Sequence, residues 1–113
     1  MPALSPQSYF LDADVASGQT TSAGIYLGNG VLCGVYTPAE FDGTAITFQA
    51  SPDGGTTWVP VHGADGTAVS VTVAASRYTR VDHALFLGVD RVKVVCGTSQ
   101  TGASAIKVAA RRV

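Results

Sequence analysis

Ser51, Asp53, Gly55, Thr57 and Trp58 fall on the spacing S-x-D-x-G-x-T-W in "SPDGGTTW", the most distinctive stretch of the chain. A carboxylate among hydroxyls beside an indole poses a choice between carbohydrate chemistry and a well-made hairpin. The hairpin explains each residue. Asp53 can accept hydrogen bonds from turn amides, Gly55 supplies a left-handed position, and Trp58 can pack the turn against its sheet. Other reactive groups are sparse. Glu40 and Asp42 sit beside Gly43 at a turn, where exposure leaves them ordinary carboxylates. His62 and His83 are isolated, and neither stands at metal-ligand spacing from Cys33 or Cys96. The turns "PDGG" and "GADG" each offer one carboxylate, where an EF-type calcium loop needs several. No nucleophile elbow, P-loop or dinucleotide fingerprint occurs in the sequence. The expectation is a protein that is not an enzyme, with no catalytic residue, no metal and no cofactor.

The elements that must hold these residues repeat with a period of two. "TAVSVTVA" sets Val69, Val71 and Val73 against Ser70 and Thr72, and "DRVKVVCG" sets Val92, Val94 and Cys96 against Arg91 and Lys93. "AITFQAS" and "SAIKVAARRV" alternate likewise, and further strands are expected over 22–27, 31–37, 57–62 and 77–82. No 3.6-residue stripe is long enough for a helix. About eight short strands with glycine-rich turns between them predict an all-β antiparallel β-sandwich, jelly-roll or immunoglobulin-like. Three segments break the pattern. Residues 1–20 read as an N-terminal arm ahead of a single sandwich domain over 21–113. "VLCGVY" is apolar on both faces, as if covered twice, and "HALFLGV" is an apolar connector, either a plug over one end or a contact patch.

A chain of 113 residues is one domain by length, and 46% apolar against 13% charged residues excludes a disordered chain. Apolar runs are far too short for a membrane helix, and no export signal opens the sequence. Two separated cysteines in strand-like runs are therefore expected as reduced core thiols rather than a bridge. All seven basic residues lie at or after Arg77, and six of eight acids lie at or before Asp65. The basic residues alternate with apolar ones and lack interleaved aromatics, which argues against nucleic acid as a partner. A module that sets an acidic surface against a basic one accounts for the split as well.

"SPDGGTTW" resembles the Asp-box of sialidases, a motif that in those families recurs once per propeller blade, away from the catalytic centre. Here it occurs once, in a chain too short for four four-stranded blades, so no catalytic position carries over. Longer stretches, "AITFQASPDGGTTWVPVHGADGTAVSVTV" and "DHALFLGVDRVKVVCGTSQTGASAIKVAARRV", resemble small β-sandwich accessory virion proteins of tailed bacteriophages and gene transfer agents. The resemblance spans about residues 44–113 and is to proteins of the head-decoration or head-spike base type. It implies a non-enzymatic structural protein of a phage-like particle, made in the host cytoplasm and built into the virion. Its partners would be capsid, spike or fibre proteins, with many copies or a symmetric homo-oligomer per particle. Head and tail locations stay open. The expected contacts are the arm (Tyr9, Phe10, Leu11), the connector (Leu85, Phe86, Leu87) and the basic strand faces (Arg91, Lys93, Arg111). The alternatives are a carbohydrate-binding module stacking sugars on Trp58, Tyr26, Tyr36 and Tyr78, and a tail or baseplate module.

Overall fold

Short alternating segments separated by glycine turns can satisfy their backbone groups only by pairing with one another, and they do so in two layers. The computed structural model describes residues 8–111. Its strands are β1 (Ser8–Asp12), β2 (Ile25–Tyr26), β3 (Val31–Thr37), β4 (Ala45–Ala50), β5 (Val59–Pro60), β6 (Ser70–Thr72), β7 (Arg77–Arg80), β8 (Arg91–Cys96) and β9 (Lys107–Arg111). The first sheet has the order β1-β9-β3-β7; the second has β2-β8-β4-β5, with β6 also on β4. Every pairing of these strands is antiparallel, and the protein is a β-sandwich. Strands from the two ends of the sequence interleave: β9 lies between β1 and β3, and β8 between β2 and β4.

The core follows from the alternation. Leu32, Val35, Ile106 and Val108 from the first layer meet Ile46, Phe48, Val92 and Val94 from the second, each at most 1% exposed. Burying such a side chain stabilises by about 1.5–3 kcal/mol, so these eight carry much of the fold. The two thiols sit in different sheets, Cys33 on β3 and Cys96 on β8, and both are free.

The structure alters the first of three expectations and resolves the other two. The N-terminal boundary is the first. Residues 1–7 of the expected arm lie outside the described residues, but residues 8–20 belong to the sandwich. β1 pairs with β9 through five consecutive residues; beyond it Ala13 N donates to Ile106 O at 2.7 Å, and Val15 and Ser104 exchange both bonds. The reason is period two once more: Tyr9, Leu11, Ala13 and Val15 alternate inward in "YFLDADV", with Ala13 and Val15 buried.

The second is the double cover of "VLCGVY". Leu32 and Val35 both face the core although they are three residues apart, because the register slips between Leu32 and Gly34 and leaves Cys33 in a β-bulge. The other face is covered from within the chain. Phe10 stands opposite Ala109 on the outer side, and the Tyr78 ring lies so close over Gly34 that a Cβ there would be 2.8 Å from its Cζ.

The third is the connector. His83–Phe86 forms a single 3-10 turn whose N-cap carboxylate, on Asp82, accepts from Ala84 N at 3.1 Å. Phe86 is 0% exposed and meets Phe48 edge to face, ring centroids 5.0 Å apart. The segment plugs one end of the sandwich.

Candidate interaction surface

The "SPDGGTTW" hairpin joins β4 to β5, and its polar atoms are spent on its own backbone. Ser51 Oγ donates to Asp53 Oδ1 at 2.9 Å and accepts from Gly55 N at 2.7 Å. Asp53 Oδ1 accepts from Thr56 N at 3.1 Å and Thr57 N at 2.7 Å. The Thr57 amide, then its hydroxyl, holds the Asp53 carboxyl below its ordinary value of 3.8. Gly54 and Gly55 carry φ of +78° and +105°, conformations that other residues adopt only at a cost. Trp58 donates from Nε1 to Gly55 O at 3.1 Å, and its ring crosses the outer face of the second sheet onto Gly24. Lys93 Nζ stands 4.7 Å from the ring centroid, and on the same face Arg91 lies 4.6 Å above Tyr26.

The predicted contact residues do not form one surface. Tyr9 and Leu11 pack against the core, and the Tyr9 hydroxyl donates to the Leu27 carbonyl, so of the three arm residues only Phe10 (57% exposed) faces solvent. In the connector Phe86 belongs to the core and Leu85 is partly buried against it, which leaves Leu87 as the exposed residue. Arg91 and Lys93 share the outer face of the second sheet, whereas Arg111 belongs to the first.

What the sequence reading missed is the outer face of the first sheet. Tyr36 and Tyr78 are direct cross-strand partners there, and Phe10 reaches in from the opposite edge to meet Tyr78. All three rings are substantially exposed, above the small residues Gly34 and Ala109. Burial, followed by the nearby Cys33, raises the Tyr78 phenol above its usual 10.0. Lys107, salt-bridged to Asp12 at 2.6 Å, lies in the same rows as the tyrosines, with Arg80 beside Gly34. That exposed ion pair adds little stability. The available signal was the apolar outer side of "VLCGVY" with glycine in its middle, which asks for covering rings.

Charge follows architecture rather than sequence half. Among the described residues every Lys and Arg lies on a strand, and every acid except Asp12 lies in a loop or turn. The sheets are therefore positive and the ends negative. A cleft of about 480 Å³ opens beside β6 and β7, with Asp65 and Asp82 at its wall. Each of those carboxylates already bonds a local amide, Thr67 N at 2.9 Å and Ala84 N at 3.1 Å. Among the described residues no three His, Cys, Asp or Glu side chains gather as metal ligands. His62 is exposed on a loop and His83 on the plug.

No family model and no curated protein matches the sequence. A solved structure shares the architecture described above. It is that of the SPBc2 prophage-derived protein YomS. The likeness covers 97% of this chain and 97% of YomS, with a TM-score of 0.62 and 17% sequence identity. At that identity YomS establishes the fold.

Proposed function

We propose that this chain is a non-enzymatic structural protein of a phage-like particle, set on the head exterior as decoration or as the base of a spike or fibre. The observation that carries the reading is the fold shared from end to end with a prophage-derived protein. The sequence resemblance to accessory virion proteins over residues 44–113 points the same way. The chemistry of the surface supports it. Its distinctive motif is a self-satisfied hairpin, and its sheets present exposed tyrosine and phenylalanine rings, with Arg91 over Tyr26, side-chain types enriched at protein interfaces. Negative loops and positive faces give neighbouring subunits complementary surfaces to meet. Sugar stacking finds less support, because Tyr26 and Trp58 each already hold a cation against the ring.

The test is to tag the chain, purify intact particles and locate it by mass spectrometry and electron microscopy. Density on the head exterior supports the assignment, density at the tail or baseplate moves it there, and particles lacking the chain overturn it.

A further inference from the structure

The outward edge of β1 is a regular strand edge whose one charged side chain, Asp12, is held by Lys107 of the neighbouring strand. β1 terminates the first sheet, and among the described residues no strand covers its other side. It keeps unbroken register with β9 from Ser8↔Arg111 to Asp12↔Lys107, with no bulge, proline or lysine in "SYFLD". Such an edge is a template for another strand unless something blunts it. The other edges are blunted: β2 and β5 have two residues each, β5 ends in Pro60, and β6 has three. β7 begins and ends with arginine.

We infer that two copies of this chain pair antiparallel along β1, joining their four-stranded sheets into one of eight. The hydrogen-bond phase fits. Val15 and Ser104 exchange both bonds and Ala13 N donates to Ile106 O. By alternation Tyr9 and Leu11 bond toward β9, while the amides and carbonyls of Phe10 and Asp12 point to the open side. A two-fold axis at Phe10 sets Phe10 against Phe10 of the second copy, and Ser8 against Asp12. No like charges meet, and Asp12 is already balanced by Lys107. On β7 the Val81 amide bonds Cys33 O, so by alternation only Tyr78 and Arg80 turn their backbone groups outward, and Ser76, at φ +57°, breaks the strand just ahead of Arg77. Length and regularity thus select β1 over the four-residue edge of β7. Phe10, 57% exposed, would gain a cross-strand aromatic partner, and the strip from Tyr78 through Phe10 would continue onto the second copy. The contact is isologous and closes at a dimer. It does not depend on the particle reading, since a chain that never enters a particle pairs by the same edge.

The experiment is sedimentation velocity of the purified chain from micromolar to millimolar concentration, with amide hydrogen exchange across the same range. The expected result is a dimer in which the Phe10 and Asp12 amides exchange at least about tenfold more slowly than at dilution. Phe10→Pro removes an outward amide while sparing the bonds to β9, and should weaken the dimer by about tenfold or more. Should that variant fail to fold by near-UV circular dichroism, charge at position 8 carries the test. Ser8→Asp opposes Asp12 of the second copy and should loosen the dimer about two- to fivefold; Ser8→Lys should tighten it by as much. A monomer at every concentration overturns the inference. So does a dimer whose Phe10 and Asp12 amides stay unprotected, or one indifferent to both charge variants.

Discussion

Phe10 and Tyr78, carried on opposite edge strands of one sheet, meet edge to face with ring centroids 6.2 Å apart. Two strands separate them, and the rings can cross that gap only because β9 and β3 present Ala109 and Gly34 at the same level. Gly34→Ala would place a methyl 2.8 Å from Tyr78 Cζ and push the half-exposed ring outward. The expected loss is about 1–2 kcal/mol, on the scale of overpacking, measured by urea unfolding. In a Tyr78→Ala background the methyl has room and the same substitution should be nearly neutral. Equal losses in both backgrounds would show that the ring is not the obstacle.

That bracket also marks the limit of what the sequence could tell. Alternation placed β4, β8 and β9 closely, because Ile46, Phe48, Val92, Val94 and Val108 point one way at period two. It also ran through Tyr9, Leu11, Ala13 and Val15, but prolines and small polar residues around them masked the strand as an arm. The bulge at Cys33 was illegible, since an inserted residue leaves no local trace in an apolar run. The "SPDGGTTW" hairpin was readable because its hydrogen bonds are local, Ser51 Oγ and Asp53 Oδ1 accepting from amides at most four residues on. The Phe10–Tyr78 contact was not, because it depends on strand order, which period two does not encode.

Asp53 makes the hairpin acid-sensitive. Its folded pKa lies below the ordinary 3.8 because the Thr57 and Thr56 amides and the Ser51 and Thr57 hydroxyls favour the carboxylate. A depressed carboxyl contributes order above 3.8 that is lost as pH falls through the lower folded value. Proton-detected titration should therefore put the Asp53 midpoint below 3.8, with the Thr56 and Thr57 amide shifts moving in step. Asp53→Asn should abolish that joint transition. An ordinary midpoint would mean that these hydrogen bonds do not persist in solution.

The two thiols should react at very different rates. Cys96 is 2% exposed, and burial pushes its thiol up to about 11, so little thiolate forms at neutral pH and reagent cannot reach it. Cys33 sits at the bulge with part of its surface accessible. A chromogenic disulfide reagent should label Cys33 in the folded protein and release a second equivalent only in denaturant. Labelling of both at one rate would contradict the burial of β8, and no thiol at all in denaturant would reveal a bridge.

The connector offers the sharpest contrast between fold and contact. Phe86 and Leu87 are adjacent, yet one is 0% exposed against Phe48 and the other is 57% exposed. Phe86→Ala removes a ring from a site closed on the Phe48 side by an edge-to-face partner. Lost transfer energy and the residual cavity together should cost about 3–5 kcal/mol. In a domain whose whole stability is about 5–15 kcal/mol, that lowers the melting temperature by well over about ten degrees. Leu87→Ala should stay within about 0.5 kcal/mol of the parent, because a side chain already in water has little burial to lose. Thermal unfolding of the two variants beside the parent decides the matter. A small loss for Phe86→Ala would show that the turn does not plug the sandwich. A large loss for Leu87→Ala would show that this side chain is covered in solution, as it would be at a contact between subunits.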